Sequence, residues 1–153
     1  MKTFISTLAL AICTTNINAQ SLQHAYRDFL RVGVSVNQWQ VKAEEKVKEG
    51  ISYSGAYKTD QTADYPLIAQ HFGWVVPENC MKCEVIHPEE GVYDFTLADQ
   101  LVDKALANGQ KVIGHCLIWH SQCAPWFFTD DNGNQVSADV LRKRIKDHIY
   151  TIV

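Results

Sequence analysis

The sequence predicts an α/β fold built on a parallel sheet, and three observations predict it. Short β-branched runs alternate with helical stretches along the chain, in the order strand, helix, strand, helix, strand, helix. The clearest helical stretch repeats its apolar residues at three- and four-residue spacing. Two clusters of polar and aromatic residues each follow directly on a predicted strand, and the C-terminal end of a parallel sheet is where such folds place their sites.

The elements follow in order. Lys2 precedes an apolar stretch from Phe4 to Cys13, then a polar run from Thr14 to Asn18 and Ala19. A positive start, an apolar centre and a small residue read as a secretory signal peptide over residues 1–19, cleaved after Ala19, with the domain occupying 20–153. The apolar run is too short to span a bilayer as a helix, and no later segment is long and apolar enough. A lipoprotein signal on Cys13 is the rival reading, opposed by Ile12 before it. Ser21 can cap a helix in which Leu22, Ala25, Tyr26, Phe29 and Leu30 share a face. Arg31 to Val36 is the first strand. The polar stretch from Asn37 to Asp64 reads as a loop, with a helical patch at Val41 to Lys48. Pro66 starts a helix that runs to Phe72, and Trp74-Val-Val is a buried strand. Thr96 caps a helix with Ala98, Leu101, Val102, Ala105 and Leu106 on one face, and Asn108-Gly109 ends it. Lys111 to Trp119 is the third strand. Ser137 caps a last helix with Val140, Leu141, Ile145, His148, Ile149 and Ile152 inward.

Composition limits the partners. The chain has 153 residues, 46% hydrophobic and 20% charged, which suits a soluble domain with a core and excludes a disordered or fibrous chain. A net charge of −3, with lysines and arginines scattered among acids, supplies no basic stripe for nucleic acid or an anionic membrane. Export places the protein in an oxidising compartment, secreted or periplasmic. A disulfide among Cys80, Cys83, Cys116 and Cys123 is then open, its pairing unreadable.

The chemistry sits in two segments, Pro77-Glu-Asn-Cys-Met-Lys-Cys-Glu84 and Gly114-His-Cys-Leu-Ile-Trp-His-Ser-Gln-Cys-Ala-Pro-Trp126. Asn, Gln, Glu and Lys can make paired hydrogen bonds to hydroxyl groups, and Trp offers a flat platform for a sugar ring. Taken singly, these residues have plainer readings. Trp119 and Trp126 could be core aromatics, Asn79 a turn residue and Lys82 a solvated charge. His115 and His120, five apart on a strand, face opposite sides, which opposes a shared metal. Cys80-x-x-Cys83 invites a redox reading, opposed by the lack of a helix pattern at Cys80 and by Pro88 and Gly91. Asp130 to Asn134 fails as a calcium loop, because Gln135 and Leu141 stand where the glycine and glutamate are needed. No Gly-x-Gly-x-x-Gly occurs for a dinucleotide, and no cofactor is expected.

Jointly, the two segments resemble a known family. Glu78-Asn79-x-Met81-Lys82-x-Glu84 with Pro88 and Gly91 is similar to the second-strand signature of family 10 xylanases, and Gly114-His115-x-Leu117-x-Trp119-His120-Ser121-Gln122 with Trp126 to the third-strand signature. The match covers roughly 32–153. Cys83 stands where the family usually has a large aromatic, Cys116 where threonine is common, and Pro125 one residue from its usual place. The resemblance implies an incomplete (β/α)8 TIM barrel, about its first three βα units, in an enzyme that cuts internal β-1,4 bonds of xylan with retention. It also implies that Glu78, Asn79 and Lys82 bind the sugar two units before the scissile bond. His115 and Gln122 bind the sugar at that bond, Trp119 shapes its floor, and His120 supports them. The partner is xylan or a xylo-oligosaccharide. The family's two catalytic glutamates follow the fourth and seventh strands, both expected beyond Val153, so no catalytic residue is assigned and the chain by itself is expected to be inactive and poorly folded. A non-catalytic secreted glycan-binding module shares the amide and aromatic residues and is the alternative.

Overall fold

The computed structural model describes residues 21–41 and 64–153. The expected signal peptide lies outside the described residues, as does the expected helical patch at Val41 to Lys48 apart from Val41, which ends α2. The described helices are α1 Leu22–Ala25, α2 Gln38–Val41, α3 Tyr65–His71, α4 Cys83–Ile86, α5 Thr96–Ala107 and α6 Ala138–Ile152. The strands are β1 Gly33–Val36, β2 Trp74–Pro77 and β3 Lys111–Val112. Among the described residues, no helix is long and apolar enough to cross a membrane.

The three strands form one parallel sheet in the order β1–β2–β3. Gly33 lies opposite Trp74 and Val36 opposite Pro77, while Lys111 lies opposite Trp74 and Val112 opposite Val75. Parallel neighbours need crossover connections, and α3 and α5 lie in the two crossovers. A Cβ on Gly33 would sit 3.1 Å from both the Cβ and the carbonyl oxygen of Trp74, so β1 and β2 need glycine there.

The core has two parts. Val36, Val41, Tyr65, Ile68, Val75, Cys80, Leu101 and Ala105 fill the space between the sheet and its helices. Tyr65 donates to the Gln110 side-chain oxygen at 2.9 Å and Gln110 donates to the Phe72 carbonyl at 2.8 Å, so the buried polar groups between α3 and β3 are paired. The second part, Cys83, Ala124 and Phe127 with Leu141 and Ile145 against them, joins the loops beyond β2 and β3 to α6.

Several elements differ from expectation. α1 is a single turn capped by Ser21, and Leu22, Tyr26, Phe29 and Leu30 are exposed, because the helix stops before its apolar residues can line up on a partner. Phe95, not Thr96, stands at the cap position of α5, and the Asp94 carboxylate before it takes hydrogen bonds from the Thr96 side chain and from the Thr96 N–H at 2.9 Å, which together hold the carboxyl below its ordinary range. Ala98, Leu101 and Ala105 are buried, but Leu106 lies one residue further round the helix and faces solvent. On α6, His148 is buried and Val140 exposed. α2, in the stretch read as a loop, and α4 have no sequence forecast.

The main correction is β3, which is two residues long instead of nine. Ile113 still donates to the Val75 carbonyl at 2.9 Å, and the chain then leaves the sheet. Its neighbour strand ends at Pro77, which has no N–H for the ladder, and the chain turns off there. Residues 114–124 are therefore a loop lying over the end of the sheet, and strand alternation does not apply to His115 and His120.

Candidate functional site

Both polar-aromatic segments come off the C-terminal ends of their strands and meet. Lys82 is buried, and its ammonium donates to the side-chain oxygen of Gln122. Lysine can only donate, so the Gln122 oxygen must face it and the amide nitrogen must turn away. That nitrogen donates to the Asn79 side-chain oxygen at 3.1 Å. Asn79, Gln122 and Lys82 thus orient one another across the gap between the two loops. The Lys82 ammonium also lies 4.3 Å from the centre of the Trp119 ring, a cation–π contact.

Gln122 is held in an unusual backbone conformation, φ 54°, in the left-handed region that costs a non-glycine residue of order 1 kcal/mol or more. Its carbonyl accepts from the Glu84 N–H at 3.0 Å, which anchors the bend to α4. Trp119 keeps 37% of its surface exposed, so a ring face remains for a ligand. His115 and His120 flank it, with ring centres 6.3 and 5.1 Å away. Trp126 is different: its indole N–H donates to the His87 carbonyl at 3.0 Å and it stacks on Phe127, so it packs half-buried against the outer cluster. Of the six residues expected from sequence, Asn79, Lys82, Trp119 and Gln122 form one contact set, and His115 joins through the Trp119 ring. Glu78 stands beside them with an exposed carboxylate, its N–H donating to the Val36 carbonyl.

Two groups behind the site carried little or no sequence signal. The first is a buried histidine pair. The Gly91 N–H donates to His87 Nε2 at 3.1 Å, so that nitrogen is bare and His87 Nδ1 carries the proton. His87 Nδ1 then donates to His148 Nδ1 at 3.1 Å, and His148 Nε2 donates to the Leu117 carbonyl at 3.0 Å. Both rings are neutral in this chain, which ends two residues from Trp119. Burial lowers both histidines; the neighbouring His148 lowers His87 further, while Glu90 opposes it. His148 lay on the inward stripe of α6, but nothing in the sequence marked His87 as its partner. The second group is a set of thiols: Cys83 donates to the Leu117 carbonyl at 3.4 Å and Cys123 to the Trp119 carbonyl at 3.0 Å. All four described cysteines are free. Cys80 packs in the sheet core and Cys83 in the outer cluster, which removes the basis for pairing them as a C-x-x-C redox couple.

Comparison with known proteins gives a consistent answer. The family model for glycosyl hydrolase family 10 matches residues 21–153. The chain is 37% identical over 132 residues to an endo-1,4-beta-xylanase/feruloyl esterase of Xylanibacter ruminicola, covering 86% of the chain and 16% of that protein. It is 35% identical over 133 residues to a beta-1,4-xylanase of Dictyoglomus thermophilum, covering 87% of the chain and 30% of that protein. It superimposes on the crystal structure of an intracellular xylanase from Thermoanaerobacterium saccharolyticum with a TM-score of 0.72 and 32% identity, covering 88% of the chain and 37% of that structure. A mutant of that xylanase was solved with xylotetraose. The chain thus spans well under half the length of the relatives it matches, and its parallel sheet is the corresponding part of a (β/α)8 barrel. With both signatures meeting in one site and the family model spanning every described element, the chain belongs to glycosyl hydrolase family 10.

Proposed function

We propose that the whole protein is an endo-1,4-β-xylanase that hydrolyses internal β-1,4-xylosidic bonds of xylan with retention, and that this chain supplies its glycone-side binding surface. The observation that carries the reading is the Asn79–Gln122–Lys82 chain beside the exposed Trp119 ring. A xylan chain is neutral and polyhydroxylated, so it is recognised by fixed amides, one cation and an aromatic face rather than by a charged patch. Glu78, Asn79 and Lys82 take the sugar two units before the scissile bond, His115 and Gln122 take the sugar at that bond, and Trp119 is its floor. Retention in this family uses two carboxyl groups about 5 Å apart after the fourth and seventh strands. Glu78 and Glu84 follow the second strand and take neither role. Secretion or periplasmic export through residues 1–19 suits a polymeric substrate.

The test is reducing-sugar release from xylan by the whole protein, beside calorimetry with xylotetraose. Turnover with xylotetraose binding, and a loss of about tenfold or more in kcat/KM for Trp119→Ala with unchanged circular dichroism, is the expected result; tenfold corresponds to about 1.4 kcal/mol of lost contact. Binding without turnover makes the protein a glycan-binding module and overturns the enzymatic reading.

A further inference from the structure

We propose that Cys83 and Cys123 are the two halves of a disulfide site that staples the loop carrying Trp119 to the start of α4. The proposal is independent of the xylanase reading, because it rests on thiol geometry alone.

Sequence left the pairing of four cysteines open, and the structure separates them. Cys80 is buried in the sheet core among Val36, Val75 and Leu101. Cys123 packs against the outer cluster that holds Cys83, beside Ala124 and Phe127, and its thiol lies near enough to that of Cys83 to raise it. The backbone brings them there. The Glu84 N–H donates to the Gln122 carbonyl at 3.0 Å, which brings the flanking residues Cys83 and Cys123 alongside each other. A disulfide spans a Cα separation of about 4.4–6.8 Å, which residues flanking one backbone hydrogen bond can meet. Cys116 lies near enough to both to be felt electrostatically.

The two thiols are unequal. Cys123 is half-exposed, while Cys83 is fully buried. Burial first, and the Cys123 thiol second, push Cys83 up to about 12. Cys123 is therefore the attacking partner and Cys83 the resolving one. The oxidant is a disulfide, either oxidised glutathione or a protein disulfide oxidoreductase. The Cys123 thiolate attacks one sulfur of that disulfide, expels a thiolate and forms a mixed disulfide. Cys83 loses its proton and attacks the Cys123 sulfur, expelling the second thiolate. Two S–H bonds break and one S–S bond forms. The oxidant takes two electrons and two protons and leaves as two thiols.

Oxidation has a local consequence. Both S–H donors vanish, so the Trp119 carbonyl loses its bond from Cys123, while the Leu117 carbonyl keeps its bond from His148. The covalent link replaces the weaker tethers to the loop.

The experiment incubates the whole protein with oxidised glutathione, blocks remaining thiols with iodoacetamide, and maps it without reduction. Trypsin cuts after Lys82 and so parts Cys80 from Cys83, and chymotrypsin cuts after Trp119 and so parts Cys116 from Cys123. The expected product is two hydrogens lighter, with Cys83 linked to Cys123, and its Tm lies several degrees above that of the reduced chain. Cys116→Ser keeps both the link and the Tm shift, and Cys123→Ser loses both. Recovery of Cys83 and Cys123 both alkylated, a link that uses Cys80 or Cys116 instead, or a Tm shift that survives in Cys123→Ser overturns the proposal. Should Cys123→Ser fail to fold, the peptide map of the unmutated chain still decides.

Discussion

Gln122 does two jobs at the scale of one residue: its oxygen accepts from the buried Lys82 ammonium and its nitrogen fixes Asn79. Truncating it leaves a buried charge without that acceptor and a carbonyl without that donor. Each unmet buried group costs about 1–3 kcal/mol. Gln122→Ala is therefore expected to lower unfolding free energy by about 2 kcal/mol in urea titrations and to weaken xylotetraose binding about tenfold by calorimetry. A stability loss with binding unchanged would separate the residue from the ligand site. Asn79, Lys82, Trp119 and Gln122 were singled out in sequence through the resemblance of the two segments to family signatures, and the structure adds that the four touch one another. The Gln122 bend at φ 54° was not, because a glutamine there announces nothing and only the anchoring bond from Glu84 holds it.

The loops beyond β2 and β3 are tied to α6 by two devices at the scale of elements. The first is the neutral histidine pair between His87 and His148. Its groups face Glu90 on the turn before Tyr93, the Tyr93 ring, and the Cys83 thiol that shares the Leu117 carbonyl. Both histidines titrate below 6.5 in the fold and near 6.5 when unfolded, so below that pH the unfolded chain binds more protons. Their contribution is fully present above pH 6.5 and is lost as pH falls through the window beneath it, with a limiting slope of about 1.4 kcal/mol per pH unit for each histidine. Urea midpoints from pH 7.5 to 5 should show this loss, and His148→Gln should flatten it. The second device is Arg144 on α6. It grips Glu90 with two nitrogens at 2.7 and 3.1 Å, donates to the carbonyls of Trp126 and Thr129, and stacks over Trp126. Glu90 is mostly exposed and Arg144 mostly buried. Glu90→Ala should therefore cost less than about 1 kcal/mol, and Arg144→Ala about 2 kcal/mol or more, by urea unfolding. Equal losses would show that the ion pair, and not the two carbonyls, is the main bond. A Cys83–Cys123 link would add to the same join, because closing a loop of about 40 residues stabilises a fold by about 4 kcal/mol in the chain-entropy account.

At the scale of the molecule, the described residues leave much apolar surface open. Phe29 is 86% exposed, Leu106 61% and Tyr150 74%. Both outer strands, β1 and β3, present unpaired edges within the described sheet. A barrel closes its sheet and covers such surfaces with later elements, and barrels of this kind run to roughly 250 residues. The isolated chain is therefore expected to self-associate and to show no turnover on xylan. Size-exclusion chromatography over a hundredfold concentration range, beside reducing-sugar release, checks both; a monomer at every concentration contradicts the first expectation and measurable turnover the second.

The sequence by itself determined the strand–helix alternation, the amphipathic α5 with its glycine stop, and the two signatures that assign the family. Each of these depends on short-range spacing and residue type, which are local properties of the chain. Only the tertiary structure decided that β3 ends after Val112, that His87 meets His148, that Trp126 packs on Phe127 while Trp119 stays open, and that Cys83 shares a cluster with Cys123 instead of Cys80. Those outcomes depend on which distant segments pack together, with partners separated by as many as 61 residues, and no local pattern encodes them.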